Sequence, residues 1–366
     1  MVTFEPVFTH PAANTLALDF PDSLYSVDQL ATVTSVAQLV PSLIASLTNS
    51  DTDANAAYAP RLAAWADRAC VRRYLASYLW NVPEAIAKLK ASLQWRLEVK
   101  PDLIDPAEVE PEAESGKGFI TGFDKKGHPV AYASQRLDNT ATYDRCLRFT
   151  FFIIEKALKL TPKGIEKISI ILDNEGVGVF NAPPISFIIQ FQGIAQFSKT
   201  KSPRTSHYPG CLESCIIANP GWILWGLYSV VSSYLDPAVK EKIFFVSYTP
   251  VVPAAAESAA APVVSSAGGW GSYFGLTSST PTPEAAAAPA DAKAVDSGSW
   301  SSFFGGLIGA GGESAAAASS EENTTGTGGW VSLDSLIDAE FLPSAFGGKF
   351  DFEYNHKVYW ERISAI

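Results

Sequence analysis

The chain has 366 residues, of which 47% are apolar, and it carries a formal net charge of -11 at pH 7. This length allows two ordinary domains or one larger domain with tails, and the apolar fraction is sufficient for a sizeable core. The acidic balance argues against a general nucleic-acid binder, because such a protein needs a basic surface for the phosphate backbone.

Residues 1–54 are acidic and rich in Ala, Ser, Thr and Pro. They predict a partly disordered extension with one amphipathic helix at 26–47, which Ser26 can cap. From Arg61 onward basic residues become frequent and the apolar residues follow a helical period. Residues 55–104 are therefore predicted to form a small bundle of two or three helices.

Residues 105–250 alternate between strand and helix patterns. The segment GKGFITGFDKKGHPVAYASQRL predicts a β-hairpin in which Gly127 provides the positive φ of the turn. RCLRFTFFIIEKALKL predicts a helix at 145–160. The apolar segments EKISIILDNEGVGVF, LESCIIAN and EKIFFVS predict buried strands. This alternation indicates an α/β domain with a mainly parallel or mixed sheet.

The stretch SCIIANPGWILWGLYSVVSSYL, at 214–235, contains no charged residue. A membrane span needs about 20 predominantly apolar residues in one helix. Here the cluster Asn219-Pro220-Gly221 interrupts the apolar run, and such a cluster marks a break. We therefore predict a strand, a turn and an apolar helix rather than a transmembrane helix.

Residues 251–330 are rich in Ala, Ser, Gly and Pro, so this linker is predicted to be disordered. It carries a loose aromatic repeat at 268–275, 297–306 and 327–333. The aromatic residues of the repeat could contact a membrane or a protein partner. The alternative is that the repeat is low-complexity sequence without a function. Apolar and aromatic residues return in 331–366, which is predicted to pack back on the preceding domain.

The scattered cysteines and the late position of the first basic residue predict a cytosolic protein. The four cysteines are scattered, at Cys70, Cys146, Cys211 and Cys215, so we expect reduced thiols rather than a disulfide framework. No second cysteine or histidine pair stands at metal spacing, and no zinc site is predicted. No lysine or arginine precedes Arg61, whereas secretory and mitochondrial signals need early basic residues.

The sequence carries no catalytic motif that we could identify. Gly176-Val177-Gly178 follows a strand but lacks the third glycine and the helix start of a dinucleotide site. Asp173 ends a strand, where a structural carboxylate is the more common role. No nucleophile–base arrangement can be inferred among the four histidines, which are His10, His128, His207 and His356. We therefore predict no enzymatic activity, no metal and no cofactor.

The order of these segments resembles the CRAL-TRIO lipid-binding proteins of the fungal phosphatidylinositol-transfer type. The resemblance covers roughly residues 68–250 and 341–357, and the segments that carry it are VRRYLASYLWNVPEAIAKLKASLQWRLEVKPDLI, GFDKKGHPVAY, LRFTFFIIEKALKL, ISIILDNEGVGVFNAP, HYPGCLESCIIANPGWILWG, YLDPAVKEKIFFVS and LPSAFGGKFDFEY. It implies a helical bundle followed by an α/β domain. The sheet of that domain would floor an apolar pocket for one lipid, and a mobile helix would gate the pocket.

The gate implied by the resemblance falls on about 222–236, within the apolar stretch. A helix that is apolar on both sides can cover a ligand and also contact a bilayer, and tryptophan suits the membrane interface. The basic segment QFSKTKSPRTSHYP could dock on anionic lipid. The residues assigned to gating and membrane contact are Trp222, Trp225, Leu227, Tyr228, Val231, Lys199, Lys201 and Arg204. The alternatives are an ordinary core helix and a solvated loop.

Members of the family that bind phosphatidylinositol hold its head group with an Arg, a Glu after Tyr-Pro, and a Thr and a Lys after Asp-Pro. By this resemblance, the chain keeps only Lys242 of these four residues. Val239 stands at the Thr position and Gly210 at the Glu position. Arg72 and Arg73 lie close to the Arg position. An ionised phosphate taken out of water needs charged or amide donors, so this provision is thin.

The positions that correspond to phosphatidylcholine contacts in the family are also apolar here. They are occupied by Ile168, Ile170, Ile120 and Ala131, with Tyr132 one place away. The expected ligand is therefore one phospholipid. A sterol or another weakly polar lipid is the alternative, because the pocket positions offer few polar side chains.

Taken together, these features predict a monomeric lipid-binding and lipid-transfer protein, cytoplasmic and peripheral to membranes, without a nucleic-acid partner. The alternative is a lipid-sensing scaffold that recruits a partner through the aromatic repeats of the linker. A third class, an enzyme on an α/β fold, has no motif in its favour.

Overall fold

The computed structural model describes six stretches of the chain, 2–48, 53–176, 207–221, 228, 240–248 and 329–366. Most of the basic segment, most of the expected gate and most of the linker fall outside these stretches. So do eight of the residues assigned to lipid or membrane contact, which are Lys199, Lys201, Arg204, Trp222, Trp225, Leu227, Val231 and Val239. Their roles stay predictions.

Four helices form the N-terminal bundle, α1 (Val27–Thr48), α2 (Asp53–Trp65), α3 (Arg68–Ser77) and α4 (Val82–Val99). The side chains of Asp67 and Asn81 cap the last two helices by accepting hydrogen bonds from backbone N–H groups. The four helices share one apolar cluster, so α1 belongs to the bundle. The sequence analysis predicted a bundle of residues 55–104. In the structure the bundle also includes α1, which precedes residue 55.

Helix α1 is also the one helix among the described residues that is long and apolar enough to cross a membrane by its length and composition. Its buried side chains are Val33, Val36, Val40, Ile44 and Thr48, which recur at helical spacing. The four apolar ones pack in the same cluster as the other bundle helices. In this structure α1 therefore packs as a helix of the bundle.

Five strands form one sheet in chain order, β1 (Gly118–Phe123), β2 (Pro129–Ser134), β3 (Ile168–Asp173), β4 (Leu212–Ala218) and β5 (Ile243–Val246). The first two pair antiparallel and the others parallel. Gly127 closes the hairpin with a φ of 89°. Helix α5 (Pro106–Ala113) precedes the hairpin and α6 (Tyr143–Lys159) connects β2 to β3. The prediction of a helical bundle followed by an α/β domain with a mixed sheet is confirmed.

The strand registers separate the two faces of the sheet. Paired residues share a face, and successive residues of a strand alternate between faces. One face, which we call the apolar face, carries the row Ile120, Ala131, Ile170, Cys215 and Ile243. Its neighbouring row is Gly118, Ala133, Leu172, Ile217 and Phe245. The opposite face, the covered face, includes Tyr132, Ile171 and Ile216.

The C-terminal segment packs on the covered face. Its short helix α7 (Leu333–Leu336) and the residues after it belong to the same apolar cluster as Tyr132 and Ile171, with the contributions Leu333, Ile337, Leu342 and Phe346. Helix α8 (His356–Ser364) places the Tyr359 hydroxyl where the Ile120 N–H donates to it at 2.7 Å. A segment separated from β5 by the whole linker therefore completes the core.

An N-terminal strap, residues 2–25, runs along the outside of the domain. Thr3 pairs with Phe352 in a β-bridge, and the Gly122 N–H donates to the Val7 carbonyl at 3.0 Å. Tyr25 then contacts the Trp80 ring edge-on at 5.5 Å. The strap thus connects the C-terminal segment, the hairpin and the bundle. The sequence analysis predicted a partly disordered extension here. It missed the ordered strap because single, irregularly spaced residues make these contacts and leave no periodic pattern in the sequence.

Arg96 of α4 joins the bundle to the α/β domain. Its guanidinium donates two hydrogen bonds of 2.9 Å to the carboxylate of Glu155 in α6. The hydroxyl of Tyr208, shortly before β4, also donates to Glu155 at 2.8 Å. The Arg96 side chain is only 2% exposed and lies over the Trp65 ring. The two parts of the fold are therefore connected through a buried ion pair.

Candidate lipid-binding site

The apolar face is the part of the sheet that suits an apolar ligand. Its two rows contain no charged side chain and no hydroxyl or amide group. Three of its central side chains, Ile170, Leu172 and Cys215, stay partly exposed. Burial raises the pKa of the Cys215 thiol to about 12, so the thiol is neutral at physiological pH. This face offers contact area without any polar anchor.

Tyr228 is the one described residue of the predicted gate, and it lies on this face. Its ring contacts the Phe245 ring edge-on, with centroids 4.8 Å apart. It packs in a small cluster with Cys215, Ile217 and Ile243. The structure thus places Tyr228, from the middle of the predicted gate, on the apolar face.

The predicted pocket residues divide between the two faces. Ile120 and Ile170 belong to one row of the apolar face, and Ile168 stands two residues before Ile170 on the same side of β3. Tyr132 lies on the covered face, where it stacks on Phe119 at 4.8 Å. The one-residue offset thus turns Tyr132 to the other side of the sheet from Ile120 and Ile170, and its contact with a lipid stays a prediction.

Lys242 lies at the amino end of β5, and its ammonium is already engaged. The Nζ donates to the Leu212 carbonyl at 2.6 Å. Burial lowers the pKa of Lys242, and the neighbouring charge of Lys167 lowers it further. The residue is thus held by the backbone of β4 and is partly buried.

Arg72 and Arg73 of α3 are bound by the protein itself. Both guanidiniums form ion pairs with the single carboxylate of Glu166, just before β3. Arg72 also lies 3.6 Å from Asp22 and over the ring of Phe20, both in the strap. Sequence reasoning missed Glu166, since nothing in its local pattern distinguishes it from any acid before a strand.

The absence of glutamate at position 210 follows from the backbone. Gly210 has a φ of 74°, a conformation that side chains other than glycine rarely adopt. A Cβ there would lie 3.4 Å from Ser77 Oγ and 3.5 Å from Arg73 Cβ. The position therefore faces Arg73 and favours glycine.

The amino end of the sheet carries a network of buried charges. His128 is fully buried, and its Nδ1 and Nε2 lie 2.8 Å from Asp124 and 2.7 Å from Asp19. Burial opposes the charged imidazolium, but the hydrogen bonds with the two carboxylates raise the pKa of His128 to about 9. The ring is therefore protonated and both nitrogens donate.

Glu213 extends this network at the start of β4 by pairing with Lys126 and Lys167. Burial favours its neutral form, yet the hydrogen bonds with both lysines lower the pKa of Glu213 to about 2. One carboxylate oxygen each of Asp19 and Glu213 and one ring nitrogen of His128 lie within 4.8 Å of one another, a spacing that metal ligands also have. Each is engaged by a protein partner of opposite charge, so the cluster is an ion-pair network.

This network borders a cavity of about 440 Å³ beneath the strap. Strap residues 15–19 line one side, and Lys125, Lys126, Lys167 and Glu213 line the other. Five of the nine lining residues are charged, so this cavity suits water and ions better than a lipid chain.

Asp173, the carboxylate considered for catalysis, is 1% exposed. The Ser134 hydroxyl donates to it at 2.8 Å, and the Glu175 N–H donates to its other oxygen at 3.2 Å. These bonds join the ends of β2 and β3, which is a structural role.

The third aromatic repeat contributes Trp330 to the edge of β5. The Phe245 N–H donates to the Gly329 carbonyl at 3.2 Å, and the Val331 N–H donates back to Phe245 at 2.9 Å. The first two repeats lie outside the described residues, so their role as partner contacts stays a prediction.

Comparison with known proteins identifies the fold. Residues 113–252 match the family model described as CRAL/TRIO domain. The chain is 31% identical over 193 residues to phosphatidylinositol transfer protein PDR17 of Saccharomyces cerevisiae, which covers 50% of this chain and 53% of that protein. It is 28% identical over 190 residues to phosphatidylinositol transfer protein CSR1 of Eremothecium gossypii, which covers 47% and 41%.

A third relative is CRAL-TRIO domain-containing protein C23B6.04c of Schizosaccharomyces pombe, 28% identical over 181 residues, or 50% of this chain and 17% of that protein. The chain thus spans about half the length, or less, of the curated relatives it matches. The solved structure described as "Crystal structure of Sfh5" aligns with a TM-score of 0.43 and 15% identity, over 60% of this chain and 81% of that chain. Residues 113–252 are thus similar to the CRAL/TRIO domain.

Proposed function

We propose that this protein binds one lipid on the apolar face and transfers it between membranes. The match of residues 113–252 to the CRAL/TRIO domain model supports this function. So do two of its relatives, which carry the name phosphatidylinositol transfer protein. Neither catalysis nor a cofactor is needed for this activity.

The contrast between the two faces of the sheet carries the proposal. The covered face buries the polar residues Ser134, Ser169, Asp173 and Ser214, and each of them has a hydrogen-bond partner. The apolar face has no such group and yet is not fully buried. Acyl or ring surface that enters there gains about 25 cal/mol per Å² removed from water. A face of this kind holds a lipid by contact area alone.

The gate would open where contact with a bilayer compensates for exposing its apolar side. Tyr228 supports this arrangement, because it packs on Phe245 at the apolar face while it belongs to the uncharged stretch 222–235. We infer that Trp222, Trp225 and the basic segment form the membrane contact. The protein would then act as a cytoplasmic monomer that meets membranes transiently.

Mass spectrometry of the protein purified from a eukaryotic host under native conditions tests the function. We expect one lipid per chain, released on denaturation. A protein that is empty, and that also takes up no lipid from vesicles of mixed phospholipid and sterol, would contradict lipid transfer. The head group of the bound lipid then decides between a phospholipid and a weakly polar ligand.

A further inference from the structure

Two arginines and one carboxylate form a compact cluster between α3 and β3. Arg72 and Arg73 each pair with an oxygen of Glu166, and the three side chains are only 11%, 15% and 15% exposed. Asp22 lies 3.6 Å from Arg72 but is 60% exposed, so it neutralises little of the buried charge. The buried part of the cluster therefore keeps an excess of positive charge.

The cluster also has unused donor capacity. The Nε atoms of Arg72 and Arg73 are buried, and no described residue accepts a hydrogen bond from either. Buried donors in folded proteins are nearly always partnered, so two neighbouring exceptions point to an acceptor. Guanidinium groups present a planar fork that fits two oxygens of a carboxylate or a phosphate. The pair is built for an anion larger than one carboxylate.

We propose that Glu166 is a specificity-determining residue, which occupies the anion position of Arg72 and Arg73 and excludes a lipid phosphate from it. The ligand class is then a lipid with an uncharged head group, such as a sterol. This inference rests on the proposed function. A phosphate would have to expel a carboxylate that belongs to the chain itself and therefore competes at high effective concentration.

The surrounding contacts keep Glu166 in this position. Its backbone N–H donates to the Asp19 carboxylate at 2.7 Å, and Asp19 is held in turn by His128. The next cations along the strand ends, Lys126 and Lys167, are likewise taken by Glu213. These lysines, like the two arginines, are thus engaged by a carboxylate of the chain itself.

The test measures which lipid the full-length chain takes up from vesicles that contain phosphatidylinositol, phosphatidylcholine and cholesterol, with native mass spectrometry as the readout. Wild-type protein is expected to load cholesterol in preference to phosphatidylinositol. Glu166→Gln should raise phosphatidylinositol loading by about tenfold or more, since two or more charge-assisted hydrogen bonds become available. Glu166→Gln that folds and loads no more phosphatidylinositol than wild type overturns the proposal.

Glu213→Gln is the matched control. It makes the same charge change on a carboxylate that also bridges two cations, but it frees two lysines rather than two arginine forks. Phosphatidylinositol loading should stay near the wild-type level in this variant. An equal rise in both variants would mean that added positive charge alone attracts the lipid, which overturns a specific role for Glu166.

Glu166→Gln leaves two guanidiniums without the carboxylate that they share and can fail to fold. The double variant Arg72→Met with Glu166→Gln leaves only one, and it should still load more phosphatidylinositol than wild type through Arg73. A level at or below wild type overturns the proposal. Adding Arg73→Met should abolish the gain, and a gain that persists would show that the arginines are not the phosphate donors.

Wild-type behaviour separates this inference from the proposed function. Wild-type protein that takes up no lipid of any class contradicts lipid transfer as a whole. Wild-type protein that loads phosphatidylinositol one to one, with Glu166 in place, contradicts only the exclusion of phosphate.

Discussion

Asp19 in the strap accepts a hydrogen bond of 2.7 Å from Nε2 of the fully buried His128. The two residues are 109 positions apart, and the same Asp19 accepts the backbone N–H of Glu166. One strap carboxylate thus fastens the hairpin turn and the entry to β3 at the same time. The strap is therefore a structural part of the α/β domain.

Replacing Asp19 with alanine should lower the free energy of unfolding by about 3 kcal/mol, because it leaves a buried imidazolium with one carboxylate fewer. Urea unfolding followed by circular dichroism measures this loss. Asp22→Ala is the matched control, since that strap carboxylate is 60% exposed and its ion pairs should contribute at most about 1 kcal/mol. Equal effects of the two substitutions would show that the buried Asp19–His128 pair contributes no more to the free energy of unfolding than an exposed ion pair.

Stability should depend on pH through His128. Its pKa is raised from 6.5 to about 9 in the folded protein. A raised pKa means that the folded state holds the proton more tightly, so this contribution is complete below pH 6.5 and is lost as pH rises through about 9. The urea midpoint of wild type should fall across this window, by more than that of His128→Gln. Parallel curves for the two proteins would contradict the assignment.

Arg96→Met should destabilise the protein by about 3 kcal/mol or more, because Glu155 is then left buried without its cation. The double variant Arg96→Met with Glu155→Leu should recover most of this loss, since apolar side chains of similar volume replace buried ion pairs well. Differential scanning calorimetry of the four proteins of this cycle measures both effects. Additive losses would mean that the pair is not coupled.

The two faces of β3 should respond differently to the same substitution. Ile170→Thr places a hydroxyl on the apolar face and should reduce lipid loading while the partly exposed site keeps the fold. Ile171→Thr places it in the covered core and should lower the free energy of unfolding by about 2 kcal/mol, with loading per folded molecule unchanged. Vesicle uptake and urea unfolding give the two readouts. The reverse pattern would place the ligand on the other face.

Reversing the charges of Lys199, Lys201 and Arg204 to glutamate should weaken binding to anionic vesicles. Each basic residue near anionic lipid contributes about 1 kcal/mol, so the triple reversal removes about 3 kcal/mol of attraction and adds repulsion. Co-sedimentation with vesicles measures the effect, which should vanish on neutral vesicles. A reversal at Lys88, Lys90 and Lys163, which changes the net charge equally, serves as control. Unchanged binding of the first variant would exclude this docking surface.

Local patterns in the sequence determined the hairpin, α6 and the strands of an α/β sheet, because periods of 2 and 3.6 residues report directly on exposure. They also marked the apolar stretch that includes Tyr228. These features depend only on neighbours along the chain, and the structure bears out the hairpin, α6 and the strands. The helix expected within the apolar stretch lies mostly outside the described residues.

Tertiary structure alone decided which side chains meet. The register turns Tyr132 away from Ile120 and Ile170, which no single-strand pattern reveals. The ion pair of Arg72 joins it to Glu166 across 94 positions, and the contact of Asp19 with His128 spans 109. Sequence reasoning assigned Arg72 to a ligand and identified no partner for the other three charges. Partners so distant along the chain are fixed by how the strap, bundle and sheet pack, and this packing is a property of the whole fold.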